Sequence, residues 1–298
     1  MKKILAMLLC LSLLLPCLGA AAESHPLLYE ARDNQGHVIY LLGTIHVGGE
    51  DMFPLSDAVW RAYDEAEALA VEVDVVTYQS NLLAAIRTVA ELMYPFSDSA
   101  KNHLSPETYA LGVEKLGLNE FVLNRMKPAA WLSLAENYAY VLVGLSPEMG
   151  ADYTLLERAH GDGKRIDELE SMDEQMEMML DLSEEVLDLE IQTLLTYPEE
   201  SGEGLRLLYD AWRTGDEAAL LSVLGNPAED TDLEGAYDEF NDALLGSRNG
   251  GFEDQARAYL EKGETVLIAV GAAHIIGEDG LAARLSRAGY EVKEIGRE

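Results

Sequence analysis

Two histidines in this chain sit in matching contexts. Gly43-Thr44-Ile45-His46 runs on into Val47-Gly48-Gly49-Glu50-Asp51, and Gly271-Ala272-Ala273-His274 into Ile275-Ile276-Gly277-Glu278-Asp279, so both segments read GxxHxxGED. Each follows an apolar β-type run, IYLL in one case and VLIAV in the other. A strand that delivers a glycine-flanked His at its carboxyl end is what the ligand edge of an open α/β sheet looks like, and the glycine lets backbone or ligand come close. One such His is more often a satisfied structural residue. The same pattern occurring twice is a poor match to chance. The other histidines, His25, His37, His103 and His160, stand in turn-like or polar surroundings and read as surface residues.

If the two strands are neighbours, His46 and His274 face one cleft and need a third partner. Glu72 is the strongest candidate, because it lies in the apolar run Leu69-Ala70-Val71-Glu72-Val73-Asp74. A carboxylate there is costly unless it is paired or bound to a metal; the plain alternative is an outward-facing strand residue sharing its face with Asp74. Two imidazoles and one carboxylate with open positions suit a divalent metal ion such as Zn, Mn, Co or Fe, and leave room for an activated water. The expectation is that His46, Glu72 and His274 converge within roughly 4–7 Å of a shared point, as ligand bonds near 2 Å require after small rotamer changes.

The elements that must position these groups are partly legible. LLYEA and HVIYLLGTI, separated by Asp33-Asn34-Gln35-Gly36, predict a hairpin over 27–45. Pro54-Leu55-Ser56 opens a helix to about Ala66 with Ser56 as N-cap, and ALAVEVD is the next strand. From about 77 to 260 the apolar spacing is helical, apart from a short extended candidate, KRIDELE. The chain returns to β at TVLIAVGA, then closes with the helix GLAARLSRAG and the strand YEVKEI. The expected fold class is α/β, with α+β character: a β/α frame from the two ends of the chain, carrying a long helical insertion or cap at about 77–260 in a single domain spanning 23–298. Met172, Met176 and Met179 share one helical face and read as core filler.

The chain has 298 residues, 48% hydrophobic and 25% charged, with a formal charge of −33. That surface repels phosphate backbones and anionic headgroups, which argues against nucleic acid as a partner. Lys2 and Lys3 precede an apolar run ending at Ala20-Ala21-Ala22, the pattern of a signal peptide over residues 1–22. An extracytoplasmic (secreted or periplasmic) location follows as an expectation. Both cysteines, Cys10 and Cys17, lie in that segment. The remainder therefore has no disulfide, no thiolate metal site and no cysteine nucleophile. No second apolar run approaches membrane-spanning length. GxSxG, Walker, HExxH and GxGxxG motifs are absent, which removes the usual support for serine hydrolase, NTPase, zincin and Rossmann oxidoreductase readings.

The residues carry a family resemblance. YLLGTIHVG, the helix after Pro54-Leu55, ALAVEVD, Met126-Lys127-Pro128 with Trp131, GADYTLLERAHGDGKRIDELESMDEQ, AWRTGD, Arg248-Asn249 and VGAAHIIGEDGL resemble the TraB/GumN family, whose metazoan relatives are the Tiki proteases of Wnt proteins. The likeness spans about residues 27–296. It implies a fold related to the ChaN-like and erythromycin-esterase-like group, and metal-dependent peptidase activity on a peptide or protein substrate. It further implies a catalytic or metal centre of His46, Glu72 and His274. Arg248 would be a charged site residue stabilising an oxyanion or orienting a substrate carboxylate. Asp152, Glu170 and Asn249 match recurring positions, and ELESMDEQ is similar to the family's LExxxEQ element. Lys127-Pro128-Ala129-Ala130-Trp131 is a spread form of its Lys-Pro-Trp element, which weakens any role for Trp131. The leading expectation is an exported metal-dependent hydrolase. The alternatives are a metal-independent, esterase-like hydrolase with His as general base, and a peptide- or haem-binding protein without turnover.

Overall fold

The computed structural model describes residues 23–224 and 234–296; the segment read as a signal peptide lies outside the described residues. The strands are β1 (Leu28–Arg32), β2 (Val38–Thr44), β3 (Ala68–Val71), β4 (Arg165–Glu168), β5 (Val266–Gly271) and β6 (Glu291–Glu294). They form one sheet in the order β4-β3-β5-β2-β1-β6.

β1 and β2 are the expected hairpin, antiparallel with Leu28 opposite Leu42 and Arg32 opposite Val38. Its turn is shaped by the Asp33 carboxylate, which accepts from the Gln35 and His37 amides, and by Gly36 at φ 91°. β2, β5, β3 and β4 run parallel, with Tyr40 beside Leu267, Ala68 beside Val266, and Ala68 beside Arg165. Covered on both faces, β3 and β5 are buried almost throughout, which is why they read as unbroken apolar runs rather than alternating ones. β4 and β6 are more exposed edges. The two GxxH motifs therefore follow adjacent parallel strands, β2 and β5.

Parallel neighbours need crossovers. The helix Asp57–Glu65 joins β2 to β3 and buries Ala58, Val59, Ala62 and Tyr63. Ser56 occupies its N-cap position, but its hydroxyl caps nothing; the Asp57 amide donates instead to Glu23 Oε1 at 2.9 Å. The predominantly helical stretch between β3 and β5 is divided by β4, the KRIDELE segment, which pairs with β3. Part of this stretch builds a second apolar cluster, where Trp131 and Leu132 on the helix Pro128–Leu142 meet Leu187, Ile191 and Leu195 on the helix Glu184–Thr196. Trp131 is fully buried and its indole N–H donates to the Leu123 carbonyl at 3.0 Å, so its place is in that core. Of the four methionines on the helix Met172–Asp181, Met179 packs against the same cluster.

The architecture is mixed α/β, as the sequence implied. Among the described residues no helix is long and apolar enough to cross a membrane.

Candidate active site

Four adjacent parallel strands end on one edge of the sheet, and each delivers a polar residue just beyond its last residue. His46 follows β2, Glu72 follows β3, Glu170 follows β4 and His274 follows β5. Glu72 thus stands past the strand end rather than inside the strand, as its sequence context had suggested. A Cβ placed on Gly271 would lie 3.4 Å from Glu72 Oε1, 3.7 Å from His274 Cδ2 and 3.7 Å from His46 Nε2. The three side chains therefore surround the last residue of β5.

Each of these groups is anchored from behind. The Asn249 amide nitrogen donates to the Asp279 carbonyl at 3.0 Å, which turns its Oδ1 toward His274 Nδ1 at 2.7 Å. That oxygen can only accept, so Nδ1 carries the hydrogen and Nε2 presents a bare lone pair. Phe252 meets the same imidazole edge to face, with centroids 5.1 Å apart. His46 Nδ1 lies 2.8 Å from Asp152 Oδ2, so its Nε2 also faces inward. His274 is buried at 4% exposure, whereas the His46 side chain is 64% exposed toward a cavity. Glu72 Oε1 accepts from the Gly271 amide at 2.8 Å; its Oε2 accepts from Arg248 at 2.7 Å and from Gln175 at 3.2 Å.

Arg248 sits in the first turn of the helix Ser247–Lys262, directly after a π-helical turn at Asp242–Gly246. Such a turn re-aims side chains and is frequent at functional sites. Its Nε and Nη2 grip Glu170 at 2.8 and 2.6 Å, and its Nη1 donates to the Leu244 carbonyl. Those bonds make it a clamp that fixes Glu72 against Glu170. Glu170 itself immediately precedes the helix Met172–Asp181, whose capping box uses Ser171 and Glu174; Gln175 then reaches Glu72. One short segment, ELESMDEQ, thus supplies the Arg248 partner, a helix cap and a Glu72 ligand.

The electrostatics follow from this packing. Burial pushes the Glu72 carboxyl upward, but His46, His274, Arg248 and the Gly271 amide together hold it at about 2, so it is ionised at neutral pH. Burial lowers His274 to about 4 against the pull of Glu72, which keeps the ring neutral. The Asp152 charge raises the pKa of His46, an effect that solvent around the exposed ring weakens.

The second halves of the twin motifs are structural. Asp51 accepts from Arg206 and Arg213 at 2.8 and 2.7 Å and from the Tyr209 hydroxyl at 3.0 Å, while Asp279 pairs with Arg284 at 2.7 Å. Trp212, in AWRTGD, donates its indole N–H to the Gly43 carbonyl at 2.8 Å and ties the helix Pro198–Thr214 to the end of β2. The loop carrying His46 is held against the segment before Asp152 by mutual hydrogen bonds of Gly48 and Ser146. A Cβ on Gly48 would stand 2.0 Å from the Met149 carbonyl oxygen, and one on Gly150 would stand 2.6 Å from the His46 carbonyl oxygen. Only glycine permits that approach.

The structure brings His46, Glu72, His274 and Arg248 together, with Asp152, Asn249 and Glu170 as their immediate partners. Sequence reasoning missed Gln175 as a Glu72 partner and the Gly271 amide. Of the four remaining histidines, read as surface residues, His25 and His160 are exposed, whereas His37 and His103 are only partly so, His103 at the junction of two helical segments. That ring bridges Asp98 and Glu184 at 2.9 and 2.7 Å and stacks on Tyr94. The two inward Nε2 atoms beside an ionised carboxylate are donors of the right chemistry for a divalent ion, and His274 Nε2 stands 3.9 Å from Glu72 Oε1. Among the described residues, however, no group of three or more His, Cys, Asp or Glu side chains is already drawn in to ligating geometry. Glu72 Oε1 accepts one hydrogen bond, from the Gly271 amide, and a carboxylate oxygen keeps a second lone pair for another partner.

An α/β sheet with paired histidines and a clamped glutamate at its strand ends defines the class of site. Residues 27–294 match the TraB/PrgY/gumN family, and the chain belongs to that family. Its relatives include the uncharacterized protein YbaP of Escherichia coli (strain K12), 28% identical over 251 residues that cover 83% of this chain and 87% of YbaP. YbaP of Shigella flexneri matches to the same extent. No solved structure matches the chain.

Proposed function

We propose that the chain is an exported metal-dependent hydrolase, most simply a peptidase, with His46, His274 and Glu72 holding a divalent ion. The observation that carries this reading is the pair of Nδ1-anchored imidazoles whose Nε2 atoms face one ionised carboxylate across Gly271. Such Nδ1 anchoring by oxygen acceptors is how metal-binding histidines are oriented. A divalent ion in that position polarises a carbonyl and lowers the pKa of water bound to it. The chain's own groups do the rest. Glu72 at about 2 is too weak a base for general-base work at neutral pH, so its role is to supply fixed negative charge. Arg248 keeps that carboxylate in place, and its guanidinium borders the cavity beside His274.

The His46–Asp152 pair favours a second, metal-free reading. An exposed imidazole held by a carboxylate at 2.8 Å is the base-and-orienter arrangement of acyl-transfer enzymes. The test is elemental analysis with and without chelation. The first reading expects about one equivalent of divalent ion per chain, lost in His46→Ala and His274→Ala, and no peptide cleavage once it is removed. Hydrolysis that persists in the stripped protein and disappears in Asp152→Asn overturns it in favour of the second.

A further inference from the structure

The helix Leu82–Glu91, LLAAIRTVAE, is amphipathic in the reverse sense. It buries none of its residues. Helical spacing puts Leu82, Leu83, Ile86 and Val89 on one face and Ala84, Thr88 and Glu91 on the other. The small and polar face is the half-buried one, and the large apolar side chains point away from the molecule, 55–78% exposed. The single basic residue of the helix, Arg87, binds Glu91 and also Asp173 on the helix Met172–Asp181, both at 3.0 Å. A surface helix ordinarily turns its apolar stripe to the core; this one is tethered by its polar side.

The stripe does not end with the helix. Phe96, five residues on, is 92% exposed. Met93 bridges to Met126, which brings the exposed Phe121 of the helix Glu120–Leu123 to the same end. The four aliphatic side chains and Phe96 offer roughly 500 Å² of apolar surface. Two copies covering it for each other bury about 1,000 Å², the least expected of a specific interface.

Charge selects the occupant. From Asn81 to Trp131 the chain has five basic and five acidic residues, so the whole of the formal −33 lies elsewhere. Copies of the chain repel one another over the rest of their length and approach most easily at this neutral window. A lipid surface is a poorer match. A membrane-binding helix carries several Lys and Arg on its polar face, whereas this one has a single Arg, already paired.

We propose that the helix Leu82–Glu91 pairs with its equivalent in a second copy of the chain across a two-fold axis. The helices run antiparallel, with Ile86 near the axis and Leu82 against the partner's Val89, a self-complementary contact that closes at two copies. The helix Val75–Ser80, which leads into the paired one, lines a polar cavity of about 340 Å³ with Val75 and Gln79, beside His46 and Glu72. The partner therefore stands next to the candidate site. The pairing does not depend on the hydrolase reading.

Sedimentation velocity of the chain, processed as its host processes it, tests the pairing. A reversible dimer with a Kd of about 10 μM or tighter is expected. It should tighten as ionic strength rises from about 0.01 M to about 0.15 M, because the Debye length falls from about 30 Å to about 8 Å and the repulsion between two acidic bodies is screened. Ile86→Glu and Ile86→Lys should each weaken the dimer about a hundredfold, since near a two-fold axis either charge meets its own copy. Ile86 is exposed, so circular dichroism should show both variants folded. Mixing the two is expected to restore a mixed dimer, which only self-pairing at this residue does. Leu207→Glu, at an exposed leucine of the helix Pro198–Thr214, should leave the dimer unchanged. A wild-type chain that stays monomeric at about 100 μM, whether alone or bound to phosphatidylcholine vesicles, overturns the proposal. So does a dimer indifferent to both Ile86 variants, a failure of the mixture to pair, or a dimer lost in Leu207→Glu instead.

Discussion

At the scale of single residues, the site is a set of reactive groups each locked by one neighbour. Asn249 fixes the tautomer of His274 through its own bond to the Asp279 carbonyl. Removing it in Asn249→Ala frees the ring, and metal affinity should fall about 10–100-fold, as for other orienting partners, measured by competition with a chelator of known affinity. Glu72 sets a pH dependence. Its folded pKa of about 2 lies below the ordinary 4.5, so its contribution to stability is present above pH 4.5 and is lost as pH falls through about 2. His274, lowered to about 4, has the same sign: its contribution is present above 6.5 and is lost as pH falls through 4. In metal-free protein, the stability gap between wild type and Glu72→Gln should therefore narrow from pH 4.5 to 2 in denaturant titrations followed by circular dichroism; a widening gap would contradict the assignment. His46, His274 and Glu72 were legible because a repeated motif and a carboxylate in an apolar run are local signals. Gln175 was not, since its contact with Glu72 depends on how a distant helix docks.

At the scale of elements, the strand ends do the positioning. β2, β5 and β3 were readable because strands buried on both faces leave continuous apolar runs. β4 was harder to read, because its exposed RIDE sequence carries no such run; only its ladder with β3 makes it a strand. The helical stretch was legible as helix but not as packing, since apolar spacing does not say which faces meet. Nothing in the composition of Gly48 announces that its α-carbon lies against the 146–150 segment. That approach predicts that Gly48→Ala costs about 1–3 kcal/mol, the range for forcing atoms into a packed contact, seen as a lower urea midpoint. It should also cut activity by parting His46 from Asp152. A stable Gly48→Ala variant with full activity would contradict the loop geometry. Gly271→Ala separates site from fold: its Cβ meets only ordinary contacts at 3.4 Å and beyond, so the melting temperature should hold while the space between the two imidazoles is filled and activity falls.

At the scale of the whole molecule, the two ends of the chain are brought together in the sheet centre, where β2 and β5 pair, and the helical insertion supplies Asp152 and Arg248. The formal charge of −33 predicts that the protein does not sediment with anionic vesicles at low salt, where a basic protein would. If the export reading is right, intact mass spectrometry of protein from the extracytoplasmic fraction will show a chain beginning at Glu23. The central claim is that the paired histidines form one hydrolytic centre. Its most direct test is peptide hydrolysis followed by mass spectrometry for wild type, for wild type stripped and reloaded with Zn or Mn, and for the His46→Ala, His274→Ala double variant. Cleavage by wild type, its loss on stripping, its return on reloading and its absence in the double variant are the predicted results; undiminished cleavage by the double variant would contradict the claim.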